Sequence, residues 1–182
     1  MTQTPPRVRG AEPADAAALG RLHVRAWQAA YRGIMPDEFL DGLDPVERGN
    51  MWARALGAAR PGSSRLAVCV ESAEDPVGFA IVGPVRGTEA SGSGLGELYA
   101  INLDPDVWGL GLGRDLLAAA TAELSRLGFT EAVLWVATSN SRARRFYEVA
   151  GWHPDGAERI DDSLGPAIDE VRYRRSLFTP TS

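Results

Sequence analysis

The stretch Leu103-Asp104-Pro105-Asp106-Val107-Trp108-Gly109-Leu110-Gly111-Leu112-Gly113-Arg114 sets glycines at alternate positions between an apolar, strand-like run and a helix-like one. Without a Cβ, such a segment turns tightly and lets another molecule come up against its backbone. The first amides of a helix have no acceptor within it, and the helix macrodipole adds positive potential at the same end. A pyrophosphate suits that environment. Two other phosphate loops do not fit. The Walker pattern requires Gly-x-x-x-x-Gly-Lys-Ser/Thr, and this loop has no Lys; the dinucleotide fingerprint requires a glycine where Arg114 stands. A glycine turn serving only compact packing is the competing reading of this segment taken alone.

The flanking patterns set the fold class. Arg7 to Gly10 reads as a short strand, and Glu12-Pro13 opens a helix whose Leu19, Leu22, His23, Ala26, Trp27 and Ala30 recur at helical spacing before Arg32-Gly33 stops it. Asp44-Pro45-Val46-Glu47 resembles a capping box and starts a second helix running to about Leu56. Strand patterns follow over Leu66 to Val70 and Val77 to Val82, a hairpin, then a glycine- and serine-rich connection from Gly83 to Gly96 and a strand from Glu97 to Leu103. A helix over Gly111 to Leu127, closed by Gly128, precedes the apolar strand Ala132 to Val136, so these two strands should lie parallel. A helix over Ser141 to Ala150 and strands over Trp152 to Ile160 and Glu170 to Ser176 complete the chain. The expectation is an α+β (mixed α/β) fold: a mostly antiparallel twisted sheet of about six or seven strands, one parallel pair, and about four flanking helices.

At 182 residues the chain fits one domain, expected over 7–178 with disordered ends at 1–6 and 179–182. A net charge of −5 argues against nucleic acid as a partner. The single cysteine excludes an internal disulfide framework and, with two histidines, argues against a zinc site, so no metal is expected. Cys69, in an apolar strand with no basic neighbour, reads as a buried, inert thiol. No apolar run approaches the roughly 18 residues of a membrane span and the N-terminus lacks a signal peptide's apolar core, so no membrane partner and a cytoplasmic location are expected.

A second segment, Asn140-Ser141-Arg142-Ala143-Arg144-Arg145-Phe146-Tyr147-Glu148-Val149-Ala150-Gly151-Trp152, adds to the first. Together the two resemble the GNAT N-acetyltransferase superfamily, in its bacterial small-molecule, polyamine-like branch. The family's loop reads Gln/Arg-x-x-Gly-x-Gly/Ala and its later helix Asn-x-x-Ala-x-x-Phe-Tyr-x-x-x-Gly-Phe/Trp. Asn140, Ala143, Phe146, Tyr147, Gly151 and Trp152 match the second pattern, and Trp27 to Pro36 is similar to the N-terminal region of the polyamine branch. Trp108 departs from the first, standing where Gln or Arg is common.

The resemblance implies acetyl-CoA as cosubstrate. Gly109, Gly111 and Gly113, with the amides of Leu110, Leu112 and Arg114, would hold its pyrophosphate, and Ile101, Asn102 and Leu103 would pair with the pantetheine arm like an added strand. Amides near Ile101 and Asn102, where the parallel strands splay, would stabilise the oxyanion. Asn140 would cap its helix, bind a pantetheine amide, or both, and Arg145, with Arg142 and Arg144, would reach CoA phosphates or lie on an exposed helix face.

Chemistry sets the remaining demands. An amine with a pKa of about 10 is mostly protonated at neutral pH and must lose a proton before it attacks a thioester. Glu97 is the candidate base, directly or through water, against a reading as a solvated carboxylate at a strand start. The leaving thiolate can take a proton from a nearby hydroxyl, and the resemblance implies Tyr147 as that acid, against a reading as helix core. His23 reads as a satisfied core histidine. Asp37, Glu38, Asp41, Asp44 and Glu47 give the first helices an acidic cast that would attract a cationic amine or simply aid solubility. The function expected is N-acetylation of a small-molecule amine; the alternative is an acyl-CoA-binding sensor or interaction module without turnover. A homodimer is compatible with the resemblance, but nothing in the sequence fixes one.

Overall fold

The computed structural model describes residues 7–58, 62–69, 75–87, 94–163 and 165–177. The expected disordered ends, the burial of the Cys69 side chain and the middle of the Gly83 to Gly96 connection lie outside the described residues. Strand β1 (Arg7–Gly10) leads through a 3-10 turn at Pro13–Asp15 into helices α1 (Ala16–Ala30), α2 (Asp37–Asp41) and α3 (Pro45–Gly57). Strands β2 (Ser64–Cys69), β3 (Gly78–Pro84) and β4 (Leu95–Leu103) come next, then α4 (Leu112–Arg126), β5 (Glu131–Ala137), α5 (Ser141–Val149), β6 (His153–Asp161) and β7 (Ile168–Ser176). The sequence pattern did not reveal α2, because five residues give too short a window for a helical period to emerge.

Local chemistry sets the boundaries. The capping box expected at Asp44 is half formed: its carboxylate accepts the Val46 amide at 2.8 Å, and Glu47 makes no return bond among the described residues. A complete box forms earlier, between Glu12 and Asp15. The Arg9 guanidinium also binds Asp15, at 2.7 Å, pinning β1 to the start of α1 and holding the Asp15 carboxyl below its ordinary range. Helices α1 and α3 cross at Gly20 and Gly49, where a Cβ on Gly20 would stand 2.6 Å from both the Gly49 Cα and the Pro45 carbonyl oxygen.

The strands form one seven-stranded sheet in the order β1-β2-β3-β4-β5-β7-β6. Every neighbouring pair is antiparallel except β4–β5, the parallel pair that the βαβ pattern implied. One face carries α4 and α5 over a core that includes Leu116, Leu117, Leu124, Leu134, Trp152 and Tyr173. Against the other face α1 and α3 press Leu19, Leu22 and Trp52 onto Phe79. Trp27, Met35 and Leu40 form a smaller cluster near the end of α1, joined by Tyr31 and by Ile168 of β7.

Candidate active site

The parallel pairing of β4 and β5 runs only from Leu95↔Glu131 to Leu98↔Leu134. Beyond Leu98, β4 continues to Leu103 against β3 while its other edge has no strand partner among the described residues, so a gap opens between the two strands. A bulge between Ile81 and Val82 re-aims β4 at the same level. Above it the turn at Pro105–Val107, with its Asp106 amide capped by Asp104 at 3.0 Å, delivers the chain into the glycine loop.

Gly109 and Gly111 take φ of 82° and 88°, backbone that side chains rarely adopt, which is why glycine stands there. The main-chain amides of residues 109–113 donate to no protein acceptor among the described residues, and those of Leu112 and Gly113 open α4. The loop is therefore a cluster of unspent N–H groups at a helix N-terminus, a cradle for an anion. It lines a cavity of about 640 Å³ that also takes in Ile101, Asn102, Leu103, Trp108, Leu110, Arg114, Asn140 and Tyr147. The end of α1, at Ala26, Ala29 and Ala30, closes one wall.

Leu112 and Arg145, two of the residues expected to touch the cosubstrate, are not part of that wall. Leu112 is buried in the core, and Arg145 points to solvent with Glu148 4.0 Å away. Arg144 is committed elsewhere, donating to Tyr173 Oη and the Thr138 carbonyl at 3.1 Å each. Arg142 is the arginine of α5 that lines the cavity, its guanidinium 3.7 Å from the centroid of the Trp108 ring. The Trp108 indole is itself fixed, donating from Nε1 to the Leu103 carbonyl at 3.1 Å. An aromatic shelf at the head of the loop thus carries a cation brought from another helix, an arrangement that single-segment reading cannot find. The Leu103 carbonyl, in turn, is spoken for by Trp108.

Asn140 caps α5, its Oδ1 accepting the Ala143 amide at 3.0 Å. Tyr147, two turns on, is 8% exposed and packs against Phe146, Trp152 and Tyr173. Its hydroxyl has no hydrogen-bond partner among the described residues, and burial raises it well above the ordinary phenol range, with the nearby Tyr31 charge adding to the shift. It stays protonated at any physiological pH and is free to donate.

The α1 side of the sheet around the parallel pair is charged and cross-linked. Glu97 is 1% exposed, and Arg86 takes both of its oxygens: the backbone amide reaches Oε2 at 2.9 Å, while Nε and Nη2 reach Oε1 at 3.1 and 2.6 Å. It does not line the cavity. Glu170 of β7 is bound through Oε2 by Arg159 of β6, which also stacks 4.4 Å from the Trp135 ring centroid. Asp37 and Asp41, part of the acidic cast of the first helices, are paired with Arg32 at 3.0 and 2.7 Å. His23 is a core residue as expected, packed between Trp27, Phe79 and Trp52, but its Nδ1 has no hydrogen-bond partner among the described residues. Burial, aided by the Arg48 charge, pulls it down to about 3. Among the described residues no group of histidine, cysteine and carboxylate side chains could hold a metal, and no helix is long and apolar enough to cross a membrane.

Set beside known proteins, the chain is 31% identical over 134 residues to the uncharacterized N-acetyltransferase YuaI of Bacillus subtilis, an alignment spanning 73% of this chain and 72% of that one. It is 28% identical to a probable N-acetyltransferase, Rv2775, of Mycobacterium tuberculosis, over 96% and 95% of the two chains. Its fold matches that of YncA, an acetyltransferase of Salmonella typhimurium solved with acetyl-CoA, with a TM-score of 0.69 at 21% identity over 98% of each chain. Residues 24–152, from the middle of α1 through the gap to the end of the α5 motif, match the acetyltransferase (GNAT) family, and the chain belongs to that family of acyl-CoA-dependent N-acyltransferases.

Proposed function

We propose that the protein transfers an acetyl group from acetyl-CoA to a primary amine of a small molecule by direct attack in a ternary complex. The observation that carries this reading is the row of amides over residues 109–113 with no acceptor among the described residues, lining a groove that also takes in Ile101 to Leu103 on the unpaired edge of β4 and Tyr147. The residues present fit a diphosphate-bearing thioester: amides and the Arg142 and Arg114 cations at one end, an unpaired strand edge along the middle, and a phenol at the far end. CoA would supply the activated acyl carbon; the chain's own groups bind, orient and move protons.

Ile101 and Asn102 line the groove where β4 has an unpaired edge; in this reading that edge pairs with an amide-bearing arm and donates to the carbonyl oxygen. Tyr147 gives its proton to the departing sulfur. The nucleophile's proton goes to a carboxylate on the charged face; Glu97, with both oxygens bound by Arg86, can serve only through water. Carboxylates on that face favour a cationic acceptor such as an alkylamine or polyamine.

Isothermal titration with acetyl-CoA tests the foundation. Saturable one-to-one binding is expected, and its absence would sink the reading. Thiol release that saturates with a primary amine is the second expectation.

A further inference from the structure

Two groups on the charged face remain without a role, the Glu170 carboxylate and the Tyr31 hydroxyl; like Glu97, neither lines the cavity. Glu170 pairs with Ala137 of β5, beyond Leu134 where β4 and β5 last touch, so it stands at the level of the open gap. Along β7 its neighbours Val171 and Tyr173 face the α4–α5 core, which puts Glu170 on the opposite, α1 side of the sheet. Its side chain is only 9% exposed, yet one oxygen does all the binding: Arg159 Nε and Nη2 both meet Oε2, each at 2.7 Å. Oε1 has no partner among the described residues. Glu97 differs on both counts, lying where the strands still pair and having neither oxygen free.

Tyr31 packs into the cluster that Ile168, two residues before Glu170 on the same strand, also joins. It follows the last turn of α1 and packs on Trp27, and its hydroxyl makes no hydrogen bond among the described residues. Burial, then the charges of Glu170 and Asp161, push it up to about 12, and its own charge is felt by Tyr147 across the gap. Burial also raises the Glu170 carboxyl against the opposing pull of Arg159, which gives it the basicity that a solvated carboxylate lacks.

We propose that Glu170, with Tyr31 beside it, receives the acceptor's ammonium and takes its proton through Oε1. This rests on the transfer reading above and assigns the base within it. An N–H bond of the ammonium breaks and an O–H bond forms on Glu170. The freed lone pair bonds to the acyl carbon as its bond to sulfur breaks. Sulfur takes the Tyr147 proton, and the second proton leaving nitrogen restores the phenol. One proton in all passes to water, by way of Glu170. The groups that face Glu170 and share its titration are Arg159 and Asp161 of β6, Arg86 after β3, and Tyr31 at the end of α1.

The test compares wild type, Glu170→Gln and Glu97→Gln with acetyl-CoA and a panel of ethylamine, propylamine and putrescine, following thiol release from acid to alkaline pH. Glu170→Gln is expected to lower kcat at neutral pH on the order of 100-fold and to abolish the acid limb of the profile, the loss shrinking as pH nears the amine's own pKa of about 10. Its affinity for acetyl-CoA, read by titration, and its melting temperature should stay at the wild-type values. Glu170→Asp, which keeps the charge, should retain the limb at a reduced rate and serves if the Gln variant does not fold. A Glu170→Gln enzyme with wild-type rate and limb, or a limb removed by Glu97→Gln alone, overturns the assignment and leaves the transfer reading standing. A wild-type chain that binds acetyl-CoA yet releases no thiol with any amine overturns the transfer reading itself.

Discussion

The two sides of the gap are built on different principles. The side proposed for the cosubstrate is made of main chain: an unpaired strand edge, a glycine loop and a helix start, drawn from one continuous run between Leu95 and Arg114, with Asn140 at the cap of α5 and Arg142 and Tyr147 within it. The side proposed for the acceptor is made of side chains: Tyr31 from the end of α1, Arg86 from the connection after β3, Glu97 from β4, and Arg159, Asp161 and Glu170 from the final hairpin, with ion pairs among them. Main-chain donors recognise a diphosphate whatever the rest of the ligand is. Crossed ion pairs recognise charge and shape, and are readily rewired by single substitutions. The difference explains how one half of such a site can stay generic while the other becomes particular.

The largest effect expected falls where the two sides meet. Tyr147→Phe should lower kcat on the order of 100-fold while leaving acetyl-CoA affinity intact, since in the proposed reaction the phenol acts on sulfur and not on binding. Equal kcat in both forms would make Tyr147 mere packing and remove the chemical link between the halves.

Next is stability on the acceptor side alone. Gly20→Ala forces apart the α1–α3 crossing and should cost about 2 kcal/mol of unfolding free energy, read by urea denaturation. Because α1 also brings Tyr31, amine turnover should suffer more than acetyl-CoA binding; an equal loss of both would dissolve the comparison.

His23 provides a pH test of the same layer. It is neutral in the fold down to about 3, whereas in the unfolded chain it titrates near 6.5, so between these values the unfolded state holds the extra proton. Stability should therefore fall as pH drops from about 6.5 towards 3, at up to about 1.4 kcal/mol per pH unit from this residue. His23→Phe should flatten that slope in thermal melts, and an unchanged slope would assign the acid sensitivity elsewhere.

The smallest effect belongs to the cosubstrate side. Arg142→Gln should weaken acetyl-CoA binding by about 1 kcal/mol, several-fold in Kd, and reduce its salt dependence, with Trp108→Phe retaining most of the affinity and Trp108→Ala matching the loss. If neither variant changes Kd, backbone alone holds the diphosphate and the main-chain character of this side is stricter still.

This asymmetry also governs what could be read from residue order. The glycine loop, the α5 motif and the parallel pair were legible because each is a local pattern: alternating glycines, a cap followed by an apolar stripe, and strand, helix, strand in succession. Arg142 could not be told from Arg145 without the position of Trp108, which lies on another element. Glu97 was visible as an acid at a strand start, but not the Arg86 clasp that ties up both its oxygens, because that partner comes from the preceding connection. Glu170 gave no signal. A lone acid in a late strand becomes a candidate only after the hairpin folds back to set it next to β5, where Arg159 binds one oxygen and leaves the other.

One uninterrupted segment, β4 running on into the glycine loop, contains both the cluster of amides without acceptors among the described residues and the place where the sheet parts. It thereby acts as a ruler. The span between a ligand's charged end and its reactive end is matched against a length of covalent chain that no hinge can alter. Adding or removing one residue between Leu103 and Gly109 would leave each half intact and put them out of measure with one another.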